Sequence, residues 1–399
     1  MIFHRLFARI FPLLMTLLLM SCGGSSDWLS ASGIGVGTGG TGFVSGTITG
    51  LGSIYIDGVR YDESQAVLEQ GSSDLSKTEA IQVSDLQVGQ YALLELNAQG
   101  TLVRVRIDSQ LVGTVSAIAQ YEKQITVWGQ KVQLNTDPTQ GPVTVLAGYP
   151  RLEDMKVEDR VQIYGVLQTD PQDSSRDLIR ASRIEKLDPA NTLSARITGT
   201  LRGSENQPML AGRAFPTKET TGALITTVVP WEQEKDPHSA PWQVQATRNL
   251  GSSALATDKL RLSGLVQIGE NGVVMVQGVP IDTSSTALDA IRPQLRTGTY
   301  ITINGSVNQQ TGKLVANTIE TTPQGGRIQE LHGTVSAWVD LSSFTLRGIH
   351  INASRAQWGE GTPADLRDGR YVEVMGTVSG NTFQATRISV PNAPPPVRP

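Results

Sequence analysis

Five times along this chain, two short runs of alternating apolar and polar residues meet at a glycine. The glycines are Gly58, Gly129, Gly212, Gly278 and Gly348. Two residues before each stand Ile56, Val127, Leu210, Val276 and Leu346. Four before stand Ile54, Ile125, Pro208, Val274 and Phe344, and three after stand Tyr61, Val132, Phe215, Ile281 and Ile351. Only Pro208 breaks these apolar columns. A period of two predicts strands with one face buried. The glycine supplies the positive φ that a tight hairpin turn needs. Between the apolar columns lie two that do not repeat. One holds Tyr55, Thr126, Met209, Met275 and Thr345, and the other Asp57, Trp128, Ala211, Gln277 and Arg347. Both are predicted to face water.

Each hairpin belongs to a longer repeated unit. A strand around a first glycine (Gly46, Gly113, Gly199, Gly264, Gly333) precedes it. Four units continue with a tight turn into a fourth strand, as in Asp85-Leu-Gln-Val-Gly89 and Asp365-Leu-Arg-Asp-Gly369, and close on a fifth. The units span residues 43–109, 110–190, 191–259, 260–325 and 326–390. The third has no recognisable turn strand; a stretch bearing Pro and Trp, residues 229–246, stands in its place, so it reads as degenerate. Short helices fit only before the turn strand, within 64–77 or 286–292. Five strands in about 70 residues, hairpin second, match the order of a small OB-type barrel, and closing the sheet removes exposed edges. The predicted fold is all-β, a tandem row of five-stranded OB-like barrels standing as a rod.

The ends read differently. Residues 1–21 join Arg5 and Arg9 to an apolar run at 10–20, the pattern of a signal peptide. The run ends Leu19-Met20-Ser21-Cys22, and Cys22 is the single cysteine of the chain. This resembles the bacterial lipobox, which implies diacylglycerol on the Cys22 sulfur, cleavage before it and an acylated N-terminus. Two or more such chains hold firmly in a bilayer. Gly23 follows, where an Asp would retain an enterobacterial lipoprotein in the inner membrane, so the sorting analogy points to the outer membrane. Residues 22–42 form a Gly/Ser-rich tether with a reach of roughly 25 Å. Its two GxGxxG matches lack the flanking strand and helix of a dinucleotide site. Residues 391–399 are a Pro-rich tail.

The units resemble the DUF5666 family, a domain of unknown function found in proteobacterial repeat lipoproteins. The resemblance rests on the Gly-Thr-Val-Ser start, the glycine hairpin, the Asp-Leu-x-x-Gly turn strand and the closing Ala-Thr-Arg-Ile of residues 385–388. The stretch 46–61 is the nearest single match. The resemblance implies a small β-barrel and a cell-envelope location, and no chemistry.

Composition narrows the function without naming it. Hydrophobic residues make up 39% and charged residues 18%, which excludes a disordered chain. With 33 Lys+Arg against 37 Asp+Glu there is no basic surplus for nucleic acid. One cysteine allows no internal disulfide. His238, His332 and His350 fall in three different units, and no HExxH or GxSxG occurs. Asp170, Asp173 and Asp177 lack the order of a calcium loop. Neither catalysis, metal nor cofactor is expected. Three readings follow. The first is a lipid-anchored envelope scaffold or binding protein with an unidentified envelope protein or polysaccharide as partner. The second is an oligosaccharide- or peptidoglycan-binding lipoprotein that uses Tyr55, Trp128 and Trp338 along one exposed groove. The third is an enzyme with a site between units, where a histidine would face carboxylates. Trp231 and Trp242, amid Glu232, Glu234 and Asp236, mark the most unusual local chemistry and are further candidate binding residues.

Overall fold

The structure is a computed structural model that describes residues 42–392 except 189, 192, 220, 230–243, 245, 250–258, 270–271, 285, 290, 322–328 and 380–381. The described chain is built of strands, and its helices are three-residue 3₁₀ turns. In the second segment, Leu111–Ala119 pairs with Gln124–Val127, and that strand pairs with Gln130–Leu134. Gln130–Leu134 runs parallel to Asp173–Lys186. The circuit returns through Arg160–Asp170 to Leu111–Ala119. In strand order this is 1-2-3-5-4-1, a closed OB-type barrel. The last segment repeats the circuit: Gln329–Asp340, Ser343–Leu346, Ile349–Asn352, Thr382–Ser389 and Tyr371–Ser379. In the fourth, a single parallel bridge between Ile281 and Leu314 completes it. In the first, Val67–Gly71 takes the parallel place beside Leu102–Ile107. The helix predicted within 64–77 is therefore replaced by a strand. The two short 3₁₀ turns Thr286–Leu288 and Arg292–Gln294 stand at the other predicted position.

The apolar columns explain the circuits. Ile56, Val127, Leu210, Val276 and Leu346 are all 0% exposed. The turn before the fourth strand is equally regular. The N–H groups of Gly89, Glu158, Gly222, Gly298 and Gly369 donate to the carbonyls of Ile48, Val115, Leu201, Val266 and Val335 at 2.7–2.9 Å. All five donors have positive φ, from 78° to 90°. Gly222 corrects the reading of the third unit. It opens a fourth strand, Leu224–Val229, which pairs with Ala195–Thr200 and with Ala246–Asn249. The stretch 230–245 thus falls between the fourth and fifth strands and does not replace the fourth.

The rod is not what forms. Gly42–Leu51 runs parallel to Lys259–Ile268, and Leu51 pairs with Leu331. One buried apolar cluster unites Ile48, Ile54 and Leu94 with Phe344, Ile351 and Phe383, from opposite ends of the described chain. Segments 110–190 and 191–259 share a second cluster. The chain folds back, because the strand faces left over after each circuit closes still carry apolar side chains such as Phe43 and Leu93 that only a neighbouring segment buries.

Candidate functional site

The residue before each hairpin glycine is the point at which sequence and structure part. Asp57, Trp128, Ala211, Gln277 and Arg347 all have φ between 47° and 55°, and the following glycines have φ of 75–77°. Two successive positive φ values make a primed turn. A left-handed non-glycine costs roughly 1 kcal/mol or more, so something must hold it. In four of the five units the seat is made by the first glycine of the same unit. A Cβ on Gly46 would stand 3.1 Å from the Asp57 carboxylate, and one on Gly264 would stand 2.8 Å from Gln277. A Cβ on Gly113 would overlap the Trp128 ring, and one on Gly333 would stand 3.2 Å from Arg347. The side chain folds back over the first strand of its unit and is not left in water. Asp57 is 3% exposed, Trp128 7% and Ala211 7%.

Each of these side chains then meets a different neighbour. Asp57 accepts a hydrogen bond from the Tyr300 hydroxyl at 3.0 Å. Gln277 accepts from the Leu167 N–H at 3.3 Å. Arg347 donates to the carbonyls of Val83 and Leu86, each at 3.0 Å, and to His332 at 2.7 Å. Trp128 and Ala211 lie in one apolar cluster. Burial raises the Asp57 pKa, opposed by the nearby Ser263 and Tyr300 hydroxyls. Tyr300 is pushed well up by burial and by the Asp57 charge.

Two polar clefts among the described residues adjoin these contacts. The first, of 540 Å³, lies among segments 43–109, 110–190 and 326–390, and is lined by Gln87, Gln162, Tyr164, Arg183, Lys186 and Arg347. Its charges largely compensate one another: Arg183 pairs with Glu185 and Lys186 with Asp159, both at 3.0 Å. The second, of 470 Å³, lies between segments 110–190 and 260–325. Its lining includes Gln168, Arg180 and Arg296.

The sequence candidates are scattered with respect to both. Tyr55 is half-buried, and its hydroxyl donates to Glu330 at 3.1 Å, with the pKa raised by burial and by that bond. His332 meets the other Glu330 oxygen at 2.9 Å. Glu330 lies on the histidine's own strand, and the ring fills the space where a Gly52 Cβ would sit, so this trio is a packed seam between the first and last segments. Trp128 is buried and offers no stacking face. Trp338 leans on Phe344, ring centroids 5.5 Å apart. The three aromatic residues therefore do not line one groove. His350 is half-buried on Ile349–Asn352. Asp170 and Asp177 are buried and bind Lys131 and Arg202, at 2.8 and 2.6 Å. Among the described residues no three His, Cys, Asp or Glu side chains gather as a metal site. Cys22, Trp231, Trp242 and His238 lie outside the described residues.

Closed OB-like circuits joined by side-chain docking define the class: an all-β barrel protein. Within it, residues 332–389 match the family described as Domain of unknown function (DUF5666), which covers the last circuit. No curated protein matches the chain.

Proposed function

We propose that this protein is a non-catalytic, lipid-anchored scaffold or binding protein of the bacterial cell envelope, carried at the outer membrane by acylated Cys22 and built of about five units of one OB-like pattern, the third degenerate. The observation that carries the reading is the placing of the chain's one cysteine at the end of a leader, after Leu19-Met20-Ser21 and ahead of a Gly/Ser tether. Folded-back barrels support the binding half of it, because they frame polar clefts instead of a smooth column. OB-type folds host many functions, so the clefts and not the fold carry the argument. The test is to follow full-length protein and Cys22→Ser in the producing bacterium. The wild type is expected in the membrane fraction and labelled by an alkyne palmitate analogue. Cys22→Ser is expected to be unlabelled and released from the outer membrane. Equal labelling of both would refute the anchor.

A second reading, an envelope oligosaccharide-binding lipoprotein, is favoured by the amide- and guanidinium-lined clefts. It no longer rests on Tyr55, Trp128 and Trp338 acting together.

A further inference from the structure

The 470 Å³ cleft differs from its counterpart in charge. Two guanidinium groups, Arg180 and Arg296, line it, and no carboxylate does among the described residues. Arg180 donates to the carbonyls of Gln140 and Gly298, at 3.1 and 3.4 Å. Burial depresses its pKa, and it forms no ion pair among the described residues. Gln168 is 5% exposed, and its Oε1 has no hydrogen-bond partner. The Thr139, Thr297 and Thr321 side chains complete the rim. The volume falls in the ordinary range of ligand sites.

We infer that this cleft binds an acidic saccharide: Arg180 and Arg296 take its carboxylate or phosphate, and the threonine hydroxyls of the rim meet its ring hydroxyls. Guanidinium forks match both anions in geometry, and a cleft of 470 Å³ is far larger than a bare ion fills. The inference deepens the oligosaccharide-binding reading and rests on it.

The test is calorimetric titration of the full-length protein in detergent with trigalacturonate and with glucose 6-phosphate. Maltotriose and inorganic phosphate serve as controls. At least one acidic sugar is expected to bind, with affinity falling as salt rises. Arg180→Gln is expected to weaken it about tenfold or more. Because Arg180 also braces two carbonyls, Arg296→Ala is the safer variant. Its side chain is exposed, its melting temperature should match wild type, and binding should fall about threefold. Binding unchanged in Arg180→Gln and Arg296→Ala would overturn the site and leave the saccharide reading standing. No binding of any sugar would overturn both. Inorganic phosphate bound as tightly as glucose 6-phosphate would mark an adventitious ion only and overturn the saccharide assignment.

Discussion

The Tyr300 hydroxyl donates to the Asp57 carboxylate at 3.0 Å, although 243 residues separate the two in sequence. Both side chains are buried, and the second carboxylate oxygen, Oδ2, has no hydrogen-bond partner. A hairpin turn of the first segment is thereby locked to the fourth strand of another.

This pair sets a pH dependence. Burial raises the Asp57 pKa above the ordinary 3.8. A carboxyl whose folded pKa is raised contributes stability that is present below its unfolded pKa and is lost as pH rises through the folded one. Thermal melts between pH 3.5 and 7 should therefore contain a component falling with pH, and Asp57→Asn should remove it. Asn also tolerates the left-handed turn conformation. At neutral pH Asp57→Asn should match or exceed wild type. Tyr300→Phe leaves the carboxylate without its donor and should cost about 1–3 kcal/mol. A steeper pH slope in Asp57→Asn would contradict the assignment.

The folding-back of turn side chains over a glycine ranks a set of substitutions. Gly113→Ala drives a methyl into the Trp128 ring, which is held in a packed cluster, so it should cost about 1–3 kcal/mol or more. Gly264→Ala meets the Gln277 chain, a flexible neighbour at 2.8 Å, and should cost less. Urea melts of the two variants check the order, and a larger loss in Gly264→Ala would show that the turn residue does not use the glycine as its seat.

Arg347 ties the last segment to the first through the Val83 and Leu86 carbonyls, and the His332 carbonyl of its own segment anchors its Nε. Burial lowers its pKa, which marks a desolvated charge held by those acceptors. Arg347→Ala should cost about 2–4 kcal/mol, and Arg347→Lys should not restore it, because a point ammonium cannot span acceptors that a planar fork reaches. Hydrogen exchange should rise together at Leu51 and Leu331, whose strands pair at this junction. Protection unchanged at both would exclude a docking role.

Much of each circuit was legible from the chain. Ile56, Val127 and Leu346 are buried as their period requires, and the glycine turns form where they were expected. The third unit's turn strand is hidden in the sequence because Gly222 is its sole cue: the other turns have Asp or Gln followed by Leu or Met four residues ahead, and Lys218-Glu219 stands there instead. Val67–Gly71 was misjudged because its partner is parallel and its alternation is short. The deeper failure concerns Asp57, Trp128, Gln277 and Arg347. They look random, and hence exposed, because each faces a different neighbour: a tyrosine, an apolar cluster, a backbone N–H and three carbonyls. A column that varies among repeats can be buried when the repeats pack unequally. The same holds for the clefts, whose walls come from segments that no local pattern brings together.

The central claim is the fold-back itself, and small-angle X-ray scattering of the secreted chain carrying Cys22→Ser tests it most directly. Compact packing of the described residues predicts a radius of gyration of about 20–25 Å, tether included, whereas five such barrels in line would give about 40 Å. A value in the first range, lost in Arg347→Ala, is the expected result; a value near the second in the unaltered chain would contradict the account.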